Sequence, residues 1–492
     1  MEPTPRPRHT ARRARRSLRA TVVLIVAALL GTLLHGLVPL QAAAAASGAP
    51  PGSSGPWSVE RVSVGAGDVE GDGGSRSPAL STDGRTVVFE TDATNLVPSS
   101  THSPAVVARD LTTGAVEDVS LDGTGAPLSY PREPAVSADG SKVVMSVTSG
   151  GERALALRDR TAGTTSNVGP GIALAAPAIS DAGDRIAFVQ NDANDGDSDH
   201  RTQVWLRDDR PLGPGDQRET QISGLTGMDD QASQPVISAD GDTVAYLARI
   251  NGVFGTRVQD ISGRPFGEPE WYPGMSSPAL SADGRYLATI GYVDGTLSVR
   301  RHDRLTGTDV TATTLPGLSA ELDISADGTT VAYATTYRDD ADENRTEIRV
   351  TNVATGRTEA VATVDSSPRL DLSADGTTVA FSSDAATVVD GDTNRATDVF
   401  VARRTDSTAP TWPLGAALVA ENVSARMADL RWQPAEDDTA VSGYLLSRDG
   451  EVIADLPAAT TSYRATGLTP ETAYEFSIVP VDADGNTGVA LH

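Results

Sequence analysis

Ten residues recur seven times along this chain, and the recurrence restricts the fold more than any other feature. The copies read LSTDGRTVVF (80–89), VSADGSKVVM (136–145), ISDAGDRIAF (179–188), ISADGDTVAY (237–246), LSADGRYLAT (280–289), ISADGTTVAY (324–333) and LSADGTTVAF (372–381). Their glycines, Gly84, Gly140, Gly183, Gly241, Gly284, Gly328 and Gly376, are spaced by 56, 43, 58, 43, 44 and 48 residues. A period of about 43 residues with insertions marks an array of equivalent units, each burying its apolar face against its neighbours.

Each copy places Asp-Gly between apolar, period-two runs. Glycine accepts positive φ without a Cβ penalty, so the dipeptide predicts a two-residue hairpin between antiparallel strands. Farther along copy six, TEIRVTNV (346–353) and RTEAVAT (357–363) flank Ala354-Thr355-Gly356, and copy one repeats this with AVVARDL (105–111) and AVEDVSL (115–121). Each repeat therefore holds four short strands, a to d. Four-stranded repeats of this length predict an all-β fold, a β-propeller.

Copy seven supplies only a, b and c, the last being DVFVARR (398–404). Before copy one stands a lone alternating stretch, WSVERVSVG (57–65). A ring has no open edge only if that first stretch fills the missing d position. Seven blades closed by the two ends of the array are expected.

Ser-x-Asp-Gly-x-x-Val-Ala-Phe resembles the TolB-type propeller repeat, related in form to WD repeats, over residues 57–405. That family usually has proline where this chain has alanine or threonine, as at Ala374 and Thr82. Residues 406–415 read as a linker. From 416 to 492 the pattern changes. LRW (430–432), GYLLSRDG (443–450) and TSYRATGLTPETAYEFSIVPVDADGN (461–486) resemble a bacterial fibronectin type III domain, an immunoglobulin-like β-sandwich. Leu468-Thr469-Pro470 followed by Tyr474 is similar to its tyrosine corner.

The 492 residues include no cysteine, which excludes disulfides, zinc-thiolate sites and a thiol nucleophile. Aromatic residues make up only 4%, so β-branched side chains carry much of the packing. The net charge of −26 argues against nucleic acid and anionic membranes as partners. The amino terminus is the exception. RPRHTARRARRSLR (6–19) precedes an apolar run at 20–40 and AAAAAS at 42–47. This is the layout of a signal peptide over residues 1–46, followed by a flexible linker, 47–56. An uncleaved membrane anchor facing outside is the alternative. A secreted monomer is expected.

No catalytic residue stands out. Beyond the amino-terminal segment the histidines, His102, His200, His302 and His492, are scattered, and neither His-Glu-x-x-His nor Gly-x-Ser-x-Gly occurs. The repeat aspartates are turn residues. The long b–c loops are more informative. NDANDGDSDH (191–200), YRDDADENR (337–345) and SSDAATVVDGDTNRATD (382–398) fall together on one face. Alternating oxygens at Asp195, Asp197 and Asp199, and at Asp390, Asp392 and Asn394 with Asp398 beyond, suit Ca²⁺, which takes six to eight hard ligands. Solvated acidic loops are the competing reading. Asp192, Asp339, Asp340, Asp342 and Glu343 complete a partner-binding face. Two functions stay open. One is a non-catalytic binding or scaffold protein for an extracellular or envelope protein or glycan, with no cofactor beyond Ca²⁺. The other is a polysaccharide-active hydrolase or its accessory protein.

Overall fold

The computed structural model describes residues 56–98, 102–168, 173–191, 202–211, 213, 217–227, 230–317, 321–338, 343–364, 368–405, 408–437, 440–482 and 486–492. Among them every regular element is a strand, and no helix is long and apolar enough to cross a membrane. The expected signal segment lies outside the described residues.

The repeats form seven four-stranded antiparallel sheets. The first runs Ser75–Leu80, Thr86–Thr91, Ala105–Asp110 and Val116–Asp118 as strands a to d. The a strands of the others are Arg132–Val136, Ala173–Ile179, Gln231–Ile237, Met275–Leu280, Leu322–Ile324 and Leu370–Leu372. Each a strand packs against that of the next sheet, and the seventh packs against the first. The architecture is a β-propeller.

Strand b is more buried than a period-two pattern implies. All six residues of Thr86–Thr91 are buried, because each sheet is covered on both faces and alternate side chains enter different cores. Phe89 packs toward Ala380, Val399 and Val401 of the seventh sheet, and its neighbour Val88 toward Val143 and Met145 of the second.

The repeated turn departs from the expected two-residue hairpin. A type I′ turn needs positive φ at both central residues, yet only the glycine has it, at +68° for Gly84. The loop is longer, and Asp83 caps it. Its Oδ1 accepts the Ser81 hydroxyl at 2.6 Å and the Arg85 N–H at 3.0 Å, while Ser81 Oγ accepts the Thr86 N–H. Ser-x-Asp-Gly is thus a self-satisfied turn, and the third copy keeps it by using Asp184 in place of the displaced aspartate. Gly328 has a second constraint. A Cβ there would lie 2.3 Å from the Tyr286 ring of the preceding sheet.

These turns also bond to one another. Asp83 N–H donates to Ala138 O, Ala138 to Asp181, Asp181 to Ala239, Asp240 to Ala282, Ala282 to Ala326, Ala326 to Ala374, and Ala374 to Thr82 O, at 2.9–3.3 Å. The circle closes on the copy where it began. At Ala138, Asp181, Ala282, Ala326 and Ala374 the donor is the residue before Asp (in copy three, the residue at that place). A proline there would have no N–H to give, so the departure from the TolB-type pattern has a physical use.

The fourth strand of the seventh sheet is Trp57–Arg61, which pairs antiparallel with Asp398–Arg404 from Trp57↔Arg404 to Arg61↔Phe400. The pairing is shorter than the expected 57–65, because Val62 and Ser63 both turn their N–H groups onto Val399 O. Trp57 is buried, and its Nε1 donates to Glu359 at 3.0 Å.

The C-terminal residues form two three-stranded sheets. One comprises Val419–Glu421, Met427–Arg431 and Ser462–Thr466; the other comprises Glu451–Pro457, Val441–Arg448 and Phe476–Asp482. Leu430, Trp432, Tyr444, Leu446 and Ile478 share their core. The Tyr474 hydroxyl accepts the Thr469 N–H at 2.9 Å.

Candidate functional site

The a strands and their turns surround a cavity of about 410 Å³ with no aromatic side chain in its lining. Aligned on the serine of each turn, the a-strand ends read SPALS (77–81), EPAVS (133–137), APAIS (176–180), QPVIS (234–238), SPALS (277–281), ELDIS (321–325) and RLDLS (369–373). One layer of the cavity wall is therefore Ala79, Ala135, Ala178, Val236 and Ala279, then Asp323 and Asp371 in the last two sheets. This signal was present in the sequence. It emerges when the repeats are aligned upstream of the turn.

The backbone differs along with the side chain. In the first five sheets the a strand slips register against b just before this layer. Ser77, Glu133, Gln234 and Ser277, each preceding a proline, sit at φ between 49° and 52°. The sixth and seventh sheets have no proline there and pair without a shift. Their aspartates reach onward to the next sheet. Asp323 Oδ2 accepts the Leu372 N–H at 2.8 Å, and Asp371 Oδ2 accepts the Leu80 N–H at 2.7 Å. Their other oxygens accept the N–H groups of Ile324 and Leu372.

The two carboxyls thus converge on one donor, the Leu372 N–H, at 2.8 and 3.0 Å. Burial pushes the Asp371 carboxyl well above the usual aspartate range, and the Asp323 charge adds to this; burial raises Asp323 too. Glu321, also in the lining, is raised by burial, with Arg369 3.8 Å away acting against the shift. Across the turn end of the cavity, Thr82 Oγ1 donates to Asp181 at 2.6 Å, a bridge from the first sheet to the third. The pair can hold a proton and brace three sheets.

The acidic loops are only partly described. Asp192, Asp195, Asp197, Asp199, Asp339, Asp340 and Asp342 lie outside the described residues. Glu343 is exposed beside Arg345, at 3.3 Å. Asp390 is exposed. Asn394 is committed to the local fold, its Nδ2 donating to Gly71 O and its Oδ1 accepting the Ala396 N–H. Asp392 and Asp398 do come together, joined by Glu70, a residue the sequence reading did not single out. One oxygen from each of the three lies within 4.8 Å of the others. Among the described histidines, His302 is buried between Asp309 and Thr289. Burial lowers its pKa against the pull of Asp309, which marks it as a core group.

No protein-family model matches the chain. Exoglucanase B of Cellulomonas fimi is 42% identical over 81 residues, 16% of this chain and 7% of that protein. Chitinase Chi52 of Paenibacillus xylanexedens is 32% identical over 85 residues, 17% of this chain and 16% of that protein. The chain thus spans a small fraction of the relatives it matches. Among solved structures, an oligogalacturonate lyase in complex with manganese superposes with a TM-score of 0.52 at 15% identity, covering 71% of this chain and 93% of that one. TolB from Acinetobacter baumannii covers 57% of this chain and 66% of that one at 17% identity, with a TM-score of 0.38. The likeness to the lyase concerns the fold alone, the β-propeller.

Proposed function

We propose that this chain is a secreted, non-catalytic binding or scaffold protein. It is read as a seven-bladed TolB-type propeller over 57–405, closed by its first strand, and a fibronectin type III domain over 416–492. The carrying observation is that all four oxygens of Asp323 and Asp371 accept backbone N–H groups, two of them from the neighbouring sheets. A cavity whose acids fasten its wall is a brace rather than a reaction centre. Binding then falls to the loop face, where the acidic residues at 192–199, 339–343 and 390–392 suit a cationic protein surface or an envelope glycan. The closed hydrogen-bond circle supports the seven-bladed reading. The Tyr474–Thr469 bond supports the fibronectin one. The purified protein, screened against glycans and envelope fractions, should retain a partner at low salt and release it as salt rises. Joint replacement of Asp192, Asp195, Asp197 and Asp390 by asparagine should abolish retention with the fold intact; retention by that variant would contradict the reading.

The hydrolase reading keeps one observation in its favour, a proton-holding carboxyl pair on a cavity wall. Turnover of a polysaccharide that disappears in Asp371→Asn would establish it.

A further inference from the structure

The carboxylates of Glu70, Asp392 and Asp398 stand where the two ends of the array meet. Glu70 follows the first strand, and Asp398 opens the strand that pairs with it. The loop between them is docked. Thr393 donates its N–H to both Glu70 oxygens at 3.1 and 3.2 Å and its hydroxyl to Oε2 at 2.5 Å.

Arg61 faces the cluster without satisfying it. Its guanidinium bonds Glu70 through Nη1, and its Nε lies 3.5 Å from Asp398 Oδ2. Neither that Nε nor that Oδ2 has a hydrogen-bond partner. Asp398 is fully buried, and only its Oδ1 is used, by the Ser63 hydroxyl at 2.6 Å. A buried carboxylate oxygen without a donor is costly unless a cation supplies the missing contact. With all three carboxyls ionised, as cation binding requires, one guanidinium leaves two negative charges, the complement of one divalent cation. The donors are all hard oxygens, with neither sulfur nor imidazole, which suits Ca²⁺.

We propose that Glu70, Asp392 and Asp398 form a divalent-cation site, calcium in first place, that clamps the seam between the first strand and the last sheet. Asp390 and Asn394 are outside it. The site would tie the segment after Trp57–Arg61 to the loop before Asp398–Arg404, so occupancy would strengthen ring closure itself.

The test uses the full protein stripped with chelator. Calcium chloride is titrated against the melting temperature and, by calorimetry, against heat of binding, with magnesium as comparator. Saturating calcium should raise Tm by on the order of 5 °C and slow hydrogen exchange across 389–399. Asp392→Asn, at a half-exposed position, should remove the Tm shift and weaken binding at least tenfold, whereas Asp390→Asn should keep both. Should Asp392→Asn not fold, the exchange measurement on the unaltered protein decides alone. No calcium heat with no slowing at 389–399 overturns the proposal, as does a shift that Asp392→Asn retains.

Discussion

The first five sheets and the last two line the same cavity in different ways. In the first five, a proline and a register shift let alanine or valine close the wall by packing. In the sixth and seventh, the proline and the shift are gone, and Asp323 and Asp371 take backbone N–H groups from the sheet ahead. The second arrangement occurs beside the seam, where the ring must join strands from opposite ends of the array. A sheet inside the array is held to its neighbour by covalent connection as well as packing. The closing sheet is broken within itself, between Asp398–Arg404 and Trp57–Arg61, so its first three strands reach the first sheet by no covalent link, and the Asp371–Leu80 hydrogen bond fastens its strand a there.

The largest effect should come from removing the closing strand. Deleting 57–65 exposes the edge of Asp398–Arg404 and uncovers Val399 and Val401, both fully buried. A melting point lower by on the order of 10 °C or more, or aggregation, is expected. Unchanged monomeric unfolding would remove the distinction between closing and interior sheets.

A smaller effect separates turns that look alike in sequence. Ala326→Pro deletes a donor from the hydrogen-bond circle and strands Ala374 O, at a cost of about 1–3 kcal/mol. Ala239→Pro should cost less, because Asp240 is the donor in that copy. Chemical denaturation of both variants checks the order.

The smallest effect concerns protons. A carboxyl whose folded pKa is raised favours the folded state at low pH, and this contribution is lost as pH rises from the ordinary aspartate value, about 3.9, through the folded value. Melting temperature should therefore decline by a few degrees over that window. Asp371→Asn, which keeps an acceptor for the Leu80 N–H and removes the titrating carboxyl, should flatten the profile. A parallel decline in both would place the titration elsewhere.

Much of the fold was legible in the sequence. The repeat, its four strands and the unpaired ends follow from local patterns of period two and a glycine that must take positive φ. Less legible was whatever depends on what faces a residue. Leu-Asp in place of Pro-Ala at 322–323 and 370–371 is visible in the letters, but that both aspartates accept the Leu372 N–H follows only from the packing of adjacent a strands. Glu70 carries no motif. It reaches Asp392 and Asp398 because strand pairing brings positions more than 300 residues apart together.

Closure of the ring by its own first strand is the claim on which the rest depends, and a cross-link tests it directly. Ser58 pairs with Arg403, and the chain has no cysteine to compete. Ser58→Cys with Arg403→Cys should oxidise to a monomeric disulfide, visible as a mobility change without reductant, with Tm unchanged or raised. Moving the second cysteine to Arg404, one register step away, should oxidise far less. A pair that stays reduced, or cross-links only between molecules, would contradict closure by the first strand.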